Sequence, residues 1–289
     1  MRQLYHKKEF FTMKKETKIR GINIVYDDLG AGDGPGAGDT ILLIHGQPFN
    51  RSMWDYQKDI LVKDHRLIIP DLRGYGESGV TTGRVLLDEL ALDLIHLLEH
   101  LAIKKAIVAG LSMGGQIALE MYRWQPSLFR AIVLADTDAR AEDERGYQNR
   151  LMLSEVILRD GMEKFAHERI NLFMCADTFK NRPELVRHVE NMMKTTNPAG
   201  SAAAQRGRAE RLDYTPLLEK IDFPALIVVG DQDVFTPLES AMYMHSRIKK
   251  STLAVIKNSG HIANMEQPDL FNEALKKFIF MHFAVRDKG

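Results

Sequence analysis

Cys175 is the only cysteine in 289 residues, so no internal disulfide can form and a small disulfide-stapled fold is excluded. Net charge is missing too. Lysine and arginine number 39, aspartate and glutamate 39, and a chain without a basic excess has no global surface for nucleic acid or anionic lipid. No apolar run approaches the roughly 18 residues of a membrane span. Residues 1–18 are basic in places but lack the continuous apolar core of a secretion signal. They read as a loosely ordered tail, with Met13 a second possible start beside Met1, and the expected location is the cytoplasm. What remains is a chain long enough to bury one large core without staples or a structural metal. A soluble globular enzyme is the default.

Seven short apolar runs follow the tail: Ile22–Tyr26, Thr40–Ile44, Leu67–Pro70, Ala106–Ala109, Ala131–Ala135, Ala225–Val229 and Thr252–Ile256. Continuous apolarity of this kind marks strands covered on both faces. Helix-length segments separate most of them, which predicts a parallel sheet built from βαβ units. Arg84–Leu101 carries leucines at 87, 90, 94, 97, 98 and 101 on one helical face, with Glu89, Asp93, His96 and His100 opposite. Further helices are expected from just after Ser112 to about Trp124 and from Pro268 to about Phe283.

One gap is out of scale. Ala135 and Ala225 are separated by 89 residues, too many for a structureless loop. Helical patterns near Leu151–Arg159, Met162–Asn171 and Glu184–Lys194 predict a helical cap over residues 138–213. The catalytic core would then comprise 19–137 and 214–289. Such a cap would lie over the C-terminal edge of the sheet, where open α/β sheets bind ligands.

The chemistry is concentrated at strand ends. Gly110-Leu111-Ser112-Met113-Gly114 follows one strand and opens a helix, the strand–turn–helix setting of an exposed nucleophilic serine. A serine hydroxyl needs a base, and the base needs an acid to fix its tautomer. In this architecture the order is Ser, then Asp or Glu, then His. Asp233 follows the strand Ala225–Val229, and His261 follows Thr252–Ile256. Asp231 and Asp136 compete for the acid; Asp233 is preferred for its order and for the bend that Pro237 sets after it. His45-Gly46-Gln47-Pro48 follows the strand Thr40–Ile44. Acyl transfer builds charge on a carbonyl oxygen, and the backbone N–H groups of Gln47 and Met113 are the expected oxyanion donors.

These residues carry a resemblance. HGQP at 45–48, DLRGYGESG at 71–79, GLSMGG at 110–115, GDQDVFTP at 230–237 and SGHIANMEQP at 259–268 resemble the α/β-hydrolase fold superfamily over nearly all of residues 20–283. Within it the chain is similar to the esterase and 3-oxoadipate enol-lactonase-like branch. The resemblance implies a mostly parallel eight-stranded sheet with helices on both faces, a first antiparallel strand pair, a cap after the sixth strand and no cofactor. It gives Ser112 as nucleophile, Asp233 as acid and His261 as base, acting on a small-molecule ester or lactone through an acyl-enzyme. A slow-turnover ligand sensor on the same scaffold and a carbon–carbon bond hydrolase are the alternatives.

Other patterns are set aside. His96-Leu97-Leu98-Glu99-His100 matches a zinc-peptidase spacing, but both histidines lie opposite the leucine stripe, so no metal is expected. Gly32, Gly34, Gly36 and Gly38 precede a strand rather than open a helix, which suits a flexible hairpin better than a phosphate loop. Phe165, Leu172, Phe173, Met174, Met192 and Met193 could line an apolar acyl pocket, with packing within the cap the plainer expectation for most of them. Arg206, Arg208 and Arg211 could hold a substrate carboxylate, with a solvated basic face the plainer expectation.

Overall fold

The computed structural model describes residues 14–30 and 39–283. Its sheet has eight strands: β1 Lys14–Ile19, β2 Ile22–Leu29, β3 Ile41–Ile44, β4 Leu67–Pro70, β5 Ala106–Leu111, β6 Phe129–Ala135, β7 Ala225–Gly230 and β8 Ser251–Ile256. Their order is β1-β2-β4-β3-β5-β6-β7-β8, antiparallel at the β1/β2 and β2/β4 pairs and parallel elsewhere. All seven apolar runs of the sequence are strands. The central ones are apolar without alternation because both faces are covered: Leu42, Ile44, Val108 and Ile132 point into one core, and Ile41, Leu43, Ile107 and Val133 into the other.

Two helices fill the stretches before and after β4: α1 Asp55–Leu61 and α2 Leu87–His100. Then α3 Met113–Trp124 follows β5. The stretch between β6 and β7 holds α4 Glu144–Arg169, α5 Ala176–Asn181, α6 Pro183–Thr195, α7 Pro198–Ala209 and α8 Thr215–Leu218. The chain closes with α9 Leu238–Arg247, α10 Ala263–Glu266 and α11 Pro268–Phe283. Helices α2, α3 and α9 cover one face of the sheet, and α1 and α11 the other. The two helical patterns expected at 151–159 and 162–171 meet at Gly161, whose backbone (φ 80°, ψ 171°) breaks α4.

Three expectations are corrected. Residues 14–18, assigned to the tail, form most of β1; in KKETKI every second side chain is exposed, and lysines on an edge strand discourage further pairing. The connection from β2 to β3 is not a hairpin, because β4 lies between those strands; its Gly32, Gly34, Gly36 and Gly38 fall outside the described residues, as do residues 1–13. Asp93, placed on the watery face of α2, is buried, and its carboxylate pairs with Arg73 and Arg20.

Candidate active site

Ser112 sits where β5 turns into α3, with φ 56° and ψ −117°. A non-glycine residue held there costs on the order of 1–3 kcal/mol, and the surroundings must enforce it. They do so through its backbone: Ser112 N–H donates to Ala135 O at 2.9 Å, and Ser112 O accepts from Thr137 Oγ1 at 2.7 Å. Gly114 is required by close approach, since a Cβ there would lie 2.2 Å from Ile44 O. The turn is therefore wedged between β3 and β6, and the hydroxyl stands clear of the sheet edge.

His261 Nε2 lies 2.8 Å from Ser112 Oγ, and His261 Nδ1 lies 2.8 Å from Asp233 Oδ2. An ionised carboxylate only accepts, so Nδ1 carries the proton and Nε2 is left to accept from the serine. Asp233 is held by its own loop. Oδ1 accepts from Phe235 N–H (2.8 Å) and Thr236 N–H (3.1 Å), and Oδ2 accepts from Thr236 Oγ1 (2.6 Å). Burial works to raise the Asp233 pKa, but the adjacent His261 and these donors outweigh it and hold the carboxyl below its ordinary range. The histidine loop is tied down as well: Gly260 N–H donates to buried Glu266 at 2.6 Å, and His261 N–H to Phe173 O at 3.0 Å.

The two competitors for the acid lie elsewhere. Asp231 accepts from Ser259 N–H at 3.4 Å. Asp136 is fully buried at the end of β6 and accepts from Gly230 N–H at 2.8 Å. Burial, then the charge of Asp233, pushes the Asp136 pKa well up.

Gln47 and Met113 flank the serine from two directions. Among the described residues, neither backbone N–H has a hydrogen-bond acceptor. Their availability is what an oxyanion requires. His45 fixes the Gln47 loop from inside: Nδ1–H donates to Gly46 O at 2.8 Å and Nε2 accepts from Leu72 N–H at 3.0 Å.

Ser112 and His261 open into a cavity of about 470 Å³ between the sheet edge and the helices inserted after β6. Phe173, Phe235 and Leu153 supply its apolar wall, and the Phe235 ring lies edge-on to His261 at 4.9 Å. The polar lining is rich in charge: Arg140, Arg150, Arg208 and Arg211 stand with Asp138, Glu142 and Asp143, and among the described residues Glu142 is the only carboxylate paired with Arg150 and Arg211. Arg208 is only 8% exposed and donates to two neutral groups, Gln47 Oε1 at 3.2 Å and Gln116 Oε1 at 3.1 Å. Burial, then the charges of Arg150 and Arg211, presses its pKa down. A guanidinium stays protonated in proteins, so Arg208 presents a positive charge to the cavity.

Of the three arginines named from sequence, Arg208 and Arg211 are thus in the cavity rather than on a solvated face. Arg206 turns away and pairs with Glu155. Arg150 was missed, its contribution hidden in the polar face of α4. Of the six apolar insertion residues, only Phe173 lines the cavity; Phe165, Met174, Met192 and Met193 are core and Leu172 is partly exposed. His96 is exposed and bonded to Glu99. Among the described residues, no cluster of three or more His, Cys, Asp or Glu is placed to hold a metal ion, and no helix is long and apolar enough to cross a membrane.

Comparison with known proteins gives the family. The model of the alpha/beta hydrolase fold family matches residues 39–268. A 3-oxoadipate enol-lactonase of Acinetobacter baylyi is 28% identical over 266 residues, spanning 92% of this chain and 96% of its own. A thermophilic esterase from Thermogutta terrifontis, solved with malate bound, superposes with a TM-score of 0.88 at 35% identity, over 93% of this chain and 99% of that one. The enol-lactonase of Burkholderia xenovorans superposes with a TM-score of 0.84 over 92% and 99% of the two chains; at 23% identity this shows the shared fold. The sheet order, the serine turn and the family match converge: the chain belongs to the α/β-hydrolase fold family, on its esterase and enol-lactonase-like branch.

Proposed function

We propose that the chain is a serine hydrolase of small carboxylic esters or lactones, and that its preferred substrates carry a free carboxylate. The observation behind the reading is the unbroken row Asp233–His261–Ser112, at 2.8 Å for each link, opening into a cavity lined by arginines that include the buried Arg208. Ser112 Oγ attacks the carbonyl carbon as its proton passes to His261 Nε2. The oxyanion is held by Gln47 N–H and Met113 N–H. His261 returns the proton to the leaving alkoxide, which in a lactone stays attached to the acyl group. Water, deprotonated by the same nitrogen, then attacks the acyl-enzyme, and the acid departs as Ser112 recovers its proton. Asp233 holds the imidazole and supports its charge throughout. No step calls for a cofactor.

The carboxylate preference rests on Arg150, Arg208 and Arg211: Glu142 pairs with two of them, Asp138 is taken by Arg140, and Arg208 bonds only to neutral amides among the described residues. An acid function seated there would complete the charge balance of a buried cluster. The relatives support both parts, one being an enol-lactonase and another an esterase solved with a dicarboxylate. Residues 138–213 act in this reading as the cap that closes the site and selects the substrate. Two measurements test it. Ser112→Ala should lower kcat on p-nitrophenyl acetate by several orders of magnitude with unchanged thermal unfolding; full activity in that variant would refute the serine mechanism. Malate should inhibit competitively, and a Ki indifferent to Arg150→Met would refute the cationic subsite.

A further inference from the structure

The candidate oxyanion donors come from separate segments, Gln47 from the loop after β3 and Met113 from the first turn of α3. The two segments already meet at their bases, where a Cβ at Gly114 would lie 2.2 Å from Ile44 O and one at Gly46 3.2 Å from Ser112 Cβ, and a bridge beyond that contact would brace it. One side chain touches both. Arg208, on α7, donates from Nη1 to Gln47 Oε1 and from Nε to Gln116 Oε1. Gln116 lies in the first turn of α3, and its own N–H returns to Ser112 O at 3.2 Å. The Gln47 amide cannot swivel freely, because its Nε2 donates to Ser201 O and Ser201 Oγ, both at 3.2 Å. Its oxygen is therefore committed to Arg208.

We propose that Arg208 is a positioning residue that sets the spacing of the oxyanion donors: its planar guanidinium holds the Gln47 loop and the Gln116 turn in fixed register from the cap. The inference rests on the serine mechanism above and goes beyond it, because it makes a cap residue part of the apparatus that stabilises the transition state. A planar fork with donors at fixed angles can bridge two acceptors in this way, while a lysine ammonium on a flexible stem imposes no such spacing. The packing of α7 is consistent with a fixed strut. A Cβ at Gly207 would lie 1.7 Å from Val85 O, so the helix is seated directly on the core backbone, and Gln47, Gln116, Ser201 and Arg208 are all buried.

The experiment uses p-nitrophenyl acetate, a neutral ester that makes no demand on a carboxylate subsite, with malate inhibition measured alongside. Arg208→Met and Arg208→Lys should both lower kcat about 10- to 100-fold with KM changed less than about threefold, the size and pattern of a displaced oxyanion donor. Gln116→Leu should lower kcat in the same direction. Gln116→Glu, which keeps an acceptor for Arg208 Nε, should lose less kcat than Gln116→Leu while weakening malate more. The double variant Arg208→Met/Gln116→Leu should be no worse than Arg208→Met alone, since both break one strut. If Arg208→Met fails to fold, the contrast between Gln116→Leu and Gln116→Glu decides the matter alone. Unchanged kcat in Gln116→Leu, with effects confined to malate, would overturn the spacing role and leave the serine mechanism standing. Turnover of the parent chain that persists in Ser112→Ala would overturn both.

Discussion

Replacing Asp233 with asparagine removes one charge and almost no volume, yet the local hydrogen bonds decide what the new amide must do. Oδ1 accepts from two backbone N–H groups, Phe235 and Thr236. An amide nitrogen cannot take that place without confronting two donors, so the Asn oxygen stays there and its NH₂ occupies the Oδ2 position. That position is 2.8 Å from His261 Nδ1 and 2.6 Å from Thr236 Oγ1. Facing an N–H donor, His261 must offer a bare Nδ1 and carry its proton on Nε2. A protonated Nε2 cannot accept from Ser112. The same carboxylate-to-amide change in a serine triad lowers kcat about 10⁴-fold through the wrong tautomer, about 5.5 kcal/mol of barrier. Here the expected loss in kcat on p-nitrophenyl acetate is about 10³- to 10⁴-fold, with KM little changed. Activity within tenfold of the parent chain would refute the reasoning, and a comparable loss in Asp231→Asn would move the acid to that residue.

Two further outcomes follow from buried charge. In Glu142→Gln the Arg150 and Arg211 guanidiniums lose their shared carboxylate, so stability should fall by about 3 kcal/mol in urea titration. Malate should bind more tightly to that variant, and weaker binding would contradict the charge argument. Burial opposes ionisation of Glu142, but Arg150 and Arg211 prevail and lower its pKa. Its contribution to stability is therefore intact at neutral pH and lost only as acid takes the pH down through the folded value, below the usual carboxylate range. Asp136 has the opposite sign. Burial first, then the charge of Asp233, raises its pKa, so the folded chain keeps a proton that the unfolded chain releases above about pH 4. Folding should thus lose up to about 1.4 kcal/mol per pH unit as pH rises toward the folded value. Asp136→Asn retains an acceptor for Gly230 N–H and should gain on the parent chain as the pH rises above the ordinary carboxylate range; parallel stability curves would contradict this.

The row Asp233–His261–Ser112 was legible because each member is marked locally: Ser112 by its glycine-flanked turn, and Asp233 and His261 by directly following strands without alternation. The insertion was legible from a gap in spacing alone. Its contents were not. Helix α7 reads PAGSAAAQRGRA, which has no apolar stripe. Its packing uses small residues that let backbones approach, as Gly207 does against Val85. Without that contact in view, Arg208 looks like one more surface cation, although it is the most enclosed charge in the cavity. Strand β1 was hidden for the converse reason. Its lysines and glutamate suit an edge facing water, and only pairing with β2 shows it to be a strand.

The net charge of zero conceals an uneven distribution, since four arginines line the same cavity as the proposed nucleophile. The central claim is that Ser112 becomes covalently acylated, and trapping that bond tests it most directly. Treatment with a p-nitrophenyl dialkyl phosphate, followed by intact-protein mass spectrometry, should show one dialkylphosphoryl adduct per chain with release of one p-nitrophenolate. Peptide mapping should place it on Ser112, and Ser112→Ala should show none. A parent chain that hydrolyses p-nitrophenyl acetate yet gains no adduct, or gains it at another residue, would contradict the account.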